Sequence, residues 1–121
     1  MDREHTKETL IWSGKDFQSK TVRLYERERD HILDRHGDIM GNNFTAVYDS
    51  VEHPDSVYYS GEGDTRKVYF KMSPEATYTP KYYTKTVVEF DEGDTEGFIV
   101  TAMPSKKEGG NVGSRIYPEE V

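Results

Sequence analysis

Between Ser56 and Met103 apolar and polar residues alternate with a period of two, and the alternation stops only at clusters of glycine, proline and acidic residues. A period of two places successive side chains on opposite faces of an extended strand, whereas a helix needs apolar residues three and four apart. Ser56–Ser60 leads through Gly61-Glu62-Gly63-Asp64 into Arg66–Met72, and Tyr82–Phe90 leads through 91–97 into Phe98–Met103. Two hairpins joined by a loop over 74–80 make an antiparallel meander of four strands. Alternation then sorts the faces. Val68, Phe70 and Met72 are expected to point towards whatever helices cover the sheet, and Lys67, Tyr69 and Lys71 away from them. In the last strand Phe98, Val100 and Ala102 share one face and Ile99, Thr101 and Met103 the other, with no sign of which is the core.

Ahead of the meander, Thr9–Ser13 and Lys20–Leu24 read as two short strands around a Gly14/Asp16 turn. A helix follows from Tyr25 to His36, built of Glu, Arg and Leu without a breaker and stopped by Gly37. Phe44, Val47, Tyr48 and Val51 have the 3-4 spacing of a second short helix over 42–50, which Pro54 closes. The expected fold is α+β: two helices packed on one face of a four-stranded antiparallel meander, with an N-terminal β-hairpin. It forms a single domain over 1–121, with a frayed arm at 1–8 and a flexible tail at 104–121 that returns at Ser114–Tyr117 as an edge strand or a docked segment. Trp12, the sole tryptophan, is expected to pack rather than to stack on a ligand.

The absence of cysteine excludes disulfides and thiolate zinc sites, and no apolar run has the length of a membrane span or the layout of a signal peptide. A soluble, cytoplasmic protein is expected. A net charge of −7 works against nonspecific attraction to nucleic acid. Its distribution is uneven, because residues 1–64 hold eight Lys/Arg against fourteen Asp/Glu, while 65–85 hold five cations (Arg66, Lys67, Lys71, Lys81, Lys85) against Glu75 alone. Such a strip suits a small anion-binding face as well as an ordinary solvated one.

No Gly-rich phosphate loop, G-x-S-x-G elbow or His/Cys metal set occurs. Two of the four histidines stand in Asp30-His31-Ile32-Leu33-Asp34-Arg35-His36-Gly37. Five residues apart on a helix, they point about 140° from one another, which disfavours a shared metal ion. His36 falls on the side with Tyr25, Arg29, Ile32 and Leu33, towards the sheet, and His31 falls with Arg27 and Arg35. His, Arg, Lys, Thr and Ser together suit metal-independent attack on phosphodiesters, in which one group moves a proton and cations or hydroxyls meet the developing charge. A histidine near a helix end is also an ordinary capping or half-buried residue.

The set Val22-Arg23-Leu24, H-I-x-x-R-H over His31–His36, Pro54-Asp55-Ser56-Val57 and Gly97-Phe98-Ile99-Val100-Thr101-Ala102 resembles the phage and prophage members of the barnase/EndoU/colicin/RelE-like nuclease superfamily, over about Thr21 to Met103. The chain departs from that pattern at Tyr25, where a Thr or Ser cap is usual, and at His36-Gly37, where His-Pro is usual. The resemblance implies metal-independent RNA cleavage without a cofactor, a toxin-like role, and an immunity or antitoxin protein as partner. It assigns catalysis to His36, His31, Arg35 and Thr101. Lys67, Lys71, Ser105 and Arg115 are added as phosphate-binding candidates from their positions. The alternative is a non-catalytic binding or phage-assembly protein that uses a tyrosine-rich sheet as its contact surface, prompted by nine tyrosines.

Overall fold

The computed structural model describes residues 9–40, 44–61, 65–73 and 82–119, with backbone alone over 37–40. The expected frayed arm at 1–8, the Glu62-Gly63-Asp64 turn, the 74–80 loop and Lys81 lie outside the described residues, as do the side chains of Ile39 and Met40.

In chain order the elements are β1 (Leu10–Lys15), β2 (Thr21–Tyr25), α1 (Glu26–Met40), α2 (Phe44–Glu52), β3 (Ser56–Tyr59), β4 (Arg66–Met72), β5 (Tyr83–Phe90), β6 (Glu96–Ser105) and β7 (Arg115–Tyr117). All strands join one seven-stranded sheet of order β1-β2-β6-β5-β4-β3-β7. This overturns the expected four-stranded antiparallel meander with two helices on one face. The sheet is mixed, because β2 runs parallel to β6 through Thr21↔Glu96, Val22↔Gly97 and Arg23↔Phe98. An isolated two-stranded hairpin is marginal in water. Val22 and Leu24 are fully buried, and docking β2 beside β6 gives them a core to enter. At the other edge β7 pairs antiparallel with β3, the edge-strand form of the return expected at Ser114–Tyr117, whereas Pro104 and Ser105, expected to start the flexible tail, end β6.

Helix α1 starts directly after β2, with Glu26 and Glu28 in its first turn, where the helix dipole favours negative charge. It does not stop at Gly37 as expected. Two helical stretches meet at His36, whose φ of −133° and ψ of 17° are non-helical, and the second continues to Met40. Ile32 is fully buried, the one such residue over 26–36, where the helix's side chains are described. Helix α2 runs two residues past the expected end and buries Val47, Ser50 and Val51. The Ser50 hydroxyl is satisfied by the Val47 carbonyl at 2.6 Å and the Thr86 hydroxyl at 2.8 Å, so this polar group costs the core little.

Ile32, Val47 and Val51 meet Val22, Leu24, Val57, Tyr69, Val88, Phe90, Ile99 and Ala102 in the main core. Tyr69 is therefore on the helix side, together with Lys67, and the expected facing of β4 is reversed. Val68 and Phe70 are buried outside that cluster, on the opposite face, which we call the far face. Phe70 is covered there by Tyr58, edge-on at 5.8 Å between centroids, and by Lys85. Plain alternation also fails in β6. A register shift between Val87 and Val88 leaves Val100 extra, so that Ile99 pairs with Val88 and Thr101 with Val87. Ile99 and Ala102, three apart, thus face the helices together, and Thr101 stays with Phe98 and Met103 on the far face.

Trp12 lies parallel to Tyr48 at 4.4 Å, joining β1 to α2. No helix among the described residues is long and apolar enough to cross a membrane.

Candidate functional site

The proposed catalytic residues divide between the two sides of the sheet. His31 and Arg35 are exposed, one helical turn apart on α1, and His36 is half-buried where the helix breaks. Nearer the start of α1, Arg27 pairs with Glu28, and Arg29 with Glu26 and Asp30. Arg35 makes no ion pair among the described residues. Thr101, in contrast, is half-buried in the middle of β6 on the far face, and nothing places its hydroxyl with the α1 groups.

Of the residues added for phosphate binding, Ser105 and Arg115 share the far face with Thr101. One cross-strand row runs Thr101-Val87-Val68-Tyr58-Arg115. It crosses four interstrand spacings, roughly 19 Å, so Thr101 and Arg115 cannot hold one phosphate between them. Ser105 ends β6, four residues beyond Thr101, and its hydroxyl donates to the Lys107 carbonyl at 2.8 Å.

Lys67 and Lys71 are not a free cationic face. Lys67 is 3% exposed and lies over the Phe90 ring at 4.4 Å, with its ammonium donating to Asp94 Oδ1 at 2.8 Å. Lys20, from the β1–β2 turn, donates to Asp94 Oδ2 at 2.6 Å. Burial lowers the proton affinity of Lys67 despite Asp94. For Lys20 the hydrogen bond and charge of Asp94 outweigh burial and raise it. Partial burial works against ionisation of Asp94, but the two lysines hold its carboxyl below the usual range. Beside this trio the Tyr69 hydroxyl donates to Asp16 Oδ2 at 2.7 Å. Asp16 Oδ1 accepts the amides of Gln18 and Lys20. Burial first, and then Asp16, hold the Tyr69 phenol far above its ordinary value, so it remains a donor. Lys71 sits 3.7 Å from Asp55, and Arg66 donates to Glu89 at 2.6 Å. The five-cation strip of the sequence is thus largely neutralised, by Asp94 and Asp55 from connecting segments and by Glu89 from the neighbouring strand β5, leaving Lys85 as its described member without an ion pair among the described residues.

An open cleft of about 630 Å³ lies where β2, β5 and β6 meet, lined by Arg23, Tyr25, Glu89, Glu92, Glu96 and Phe98 among others. Arg23 and Glu96 form an ion pair within it. Among the described residues no group of three or more His, Cys, Asp or Glu is placed to hold a metal ion. The described tyrosines are dispersed: Tyr69 is in the core, Tyr48 on Trp12, Tyr58 on Phe70 and Tyr82 against the core, while Tyr59 and Tyr117 are exposed. Asp16, Lys20 and Asp94 were not foreseen as a cluster. Each is recognisable in sequence as a turn residue, but only the fold brings the two turns together. Compared with known proteins, the chain matches no family model, no curated protein and no solved structure.

Proposed function

We propose that this chain is a metal-independent endoribonuclease-like protein of phage or prophage origin, of the barnase/EndoU/colicin/RelE-like kind, acting in the cytoplasm. The observation that carries the reading is the break in α1 at His36, which leaves a half-buried imidazole beside the exposed Arg35, which has no ion pair among the described residues. An imidazole in such a place can take the proton from an attacking ribose 2′-hydroxyl or return one to the leaving oxygen. Arg35 supplies a planar fork of donors for the phosphate, with His31 one turn away on the same side of the helix. Thr101, across the sheet, takes no part in this scheme.

Purified wild type and His36→Gln, incubated with total RNA in excess chelator and melted in parallel, test the reading. The expected result is cleavage by the wild type and a rate lower by about two to four orders of magnitude in a variant that still folds. Equal cleavage by both would remove His36 from the chemistry. Activity that appears only when divalent cation is added would reject the metal-independent scheme.

A further inference from the structure

We propose that the open cleft where β2, β6 and β5 meet is a docking site for a basic protein segment, which lays an arginine side chain against Phe98 and between the carboxylates of the cleft wall. The inference is independent of the ribonuclease reading, whose chemistry lies on α1.

Strand register builds the cleft. Arg23 pairs with Phe98, Phe98 with Glu89 and Glu89 with Arg66, so one cross-strand row runs from β2 through β6 and β5 to β4. Glu89 stands two residues from Val87, the partner of the far-face residue Val68, and the row therefore shares the far face. It spans three interstrand spacings, roughly 14 Å, and sets Phe98 between a cation on β2 and an anion on β5. Phe98 and Tyr25, the latter two residues along β2 from Arg23, both line the cleft and are half-buried, so that ring surface is left to a guest. Ile32, Val47 and Val51 of the helices enter the main core on the opposite side of the sheet. The volume of about 630 Å³ is of the size that takes a side chain or a small ligand.

Charge selects the guest. The lining holds Glu89, Asp91, Glu92 and Glu96 against Arg23 alone. Cations of the chain meet two of these four carboxylates, since Arg23 pairs with Glu96, and Arg66, at the end of the row, with Glu89. Asp91 instead accepts from the Thr95 amide and the Thr95 hydroxyl, both at 2.8 Å. These bonds hold its carboxyl below the usual range, so it keeps its charge. Glu92 is exposed and makes no ion pair among the described residues. The cleft thus repels a phosphate backbone and draws a cation. A metal ion does not suit it, because among the described residues no three carboxylates or imidazoles converge on one point. Carboxylates spread around an aromatic floor suit a guanidinium, whose flat face stacks on a ring while its edge donates to acids on either side. Further cations along an extended segment then meet the remaining charge.

Fluorescence anisotropy with labelled hexa-arginine, and amide chemical shifts of the isotope-labelled protein with the same peptide, test the proposal in about 0.1 M salt, where charges more than about 10 Å apart are largely screened. Wild type should bind hexa-arginine about fivefold more tightly than hexa-lysine, which carries the charge without the planar group. The amides of Arg23, Gly97 and Phe98 should shift. Phe98→Leu, which keeps an apolar residue and removes the ring, should weaken hexa-arginine about fivefold and bring the two peptides level. Glu92→Gln should weaken it about threefold, whereas Asp34→Asn, an equal change of charge on α1, should leave affinity at the wild-type value. No binding by the wild type, equal affinity for the two peptides, an equal loss in Asp34→Asn, or shifts confined to α1 would each overturn the proposal. Spermine bound as tightly as hexa-arginine would give the cleft to a small polyamine, and a wild-type dimer in sedimentation that Phe98→Leu dissolves would give it to a second copy of the chain; either result rejects the partner named here. His36→Gln should bind the peptide as wild type does, so loss of RNA cleavage and loss of peptide binding are read separately.

Discussion

The two faces of β4 are both buried, but by different means. On the helix side Tyr69 and Lys67 lie under α2 and two sheet-end turns, and each polar atom finds a partner from a separate part of the chain. On the far face Phe70 and Val68 are more apolar, yet the cover over Phe70 is one ring, that of Tyr58, and the side chain of Lys85. Thickness of cover, rather than polarity of the covered residue, decides which face is the core. Long amphipathic side chains can reach through a deep layer to polar partners at its margin, whereas a thin layer offers only contact.

The contrast predicts an order of mutational costs. Tyr69→Ala should cost about 4 kcal/mol, since it opens a cavity among helix and sheet residues that cannot collapse and strips Asp16 of a donor, whereas Phe70→Ala should cost about 3 kcal/mol because Tyr58 and Lys85 can settle into the space. Urea denaturation of the two variants checks the order, and the reverse order would break the comparison.

Asp94→Asn should cost about 2 kcal/mol, a value reduced for the partial exposure of Asp94, because it leaves Lys20 and the buried Lys67 facing each other without their anion. Its folded-state proton affinity is depressed, so the stabilisation is present above the unfolded carboxyl pKa of about 3.9 and is lost as pH falls through the lower folded value. A stability profile from pH 7 to pH 2 should show that loss in the wild type, and the Asn variant should lack this component. Lys67 works in the other sense. Its lowered affinity means that carrying its charge weakens the fold, a cost relieved as pH rises through its folded value towards about 10.4.

One substitution made on both sides sharpens the comparison further. An added Cβ at Gly97 would lie 2.8 Å from the Glu89 carbonyl and 2.9 Å from Val88 Cγ1, inside the sheet, so Gly97→Ala should cost about 2 kcal/mol. Gly109→Ala also meets a ring, that of Tyr58, and a positive φ, but in the connection from β6 to β7 rather than inside the sheet, and should cost about 1 kcal/mol. Equal shifts of the thermal melts for the two would show that this connection is as unyielding as the sheet.

The strands between Ser56 and Met103 were legible because alternation and turn residues are local signals, and the N-terminal hairpin was legible for the same reason. Its place in the sheet was not. Nothing in Thr21–Tyr25 announces a parallel partner in Glu96–Phe98, since pairing is chosen by where Val22 and Leu24 can be buried. The facing of β4 was misread because Val68 and Phe70 are more apolar than Lys67 and Tyr69, and the rule linking apolarity to the core assumes that only one face is covered. The extra residue at Val100 left no mark in a run of apolar residues. At the candidate site, His31, Arg35 and His36 could be grouped from helical spacing, but Thr101 could not be assigned a side until the bulge was known. Lys67 was read as a free cation because its neutralising partner lies in a turn 27 residues away.

The parallel seam between β2 and β6 bears on the order in which the chain can take shape. Arg23 meets Glu96 across 73 residues, and Lys20 meets Asp94 across 74. A chain growing from its N-terminus completes the first hairpin early, but Glu96, in the strand that receives it, emerges 73 residues after Arg23. Until then Val22 and Leu24 have no neighbour on that side, and the antiparallel run from β3 to β6, whose partners are close in sequence, can assemble first. The hairpin is made early and seated late, so the sheet can close over its core only after β6 has been made.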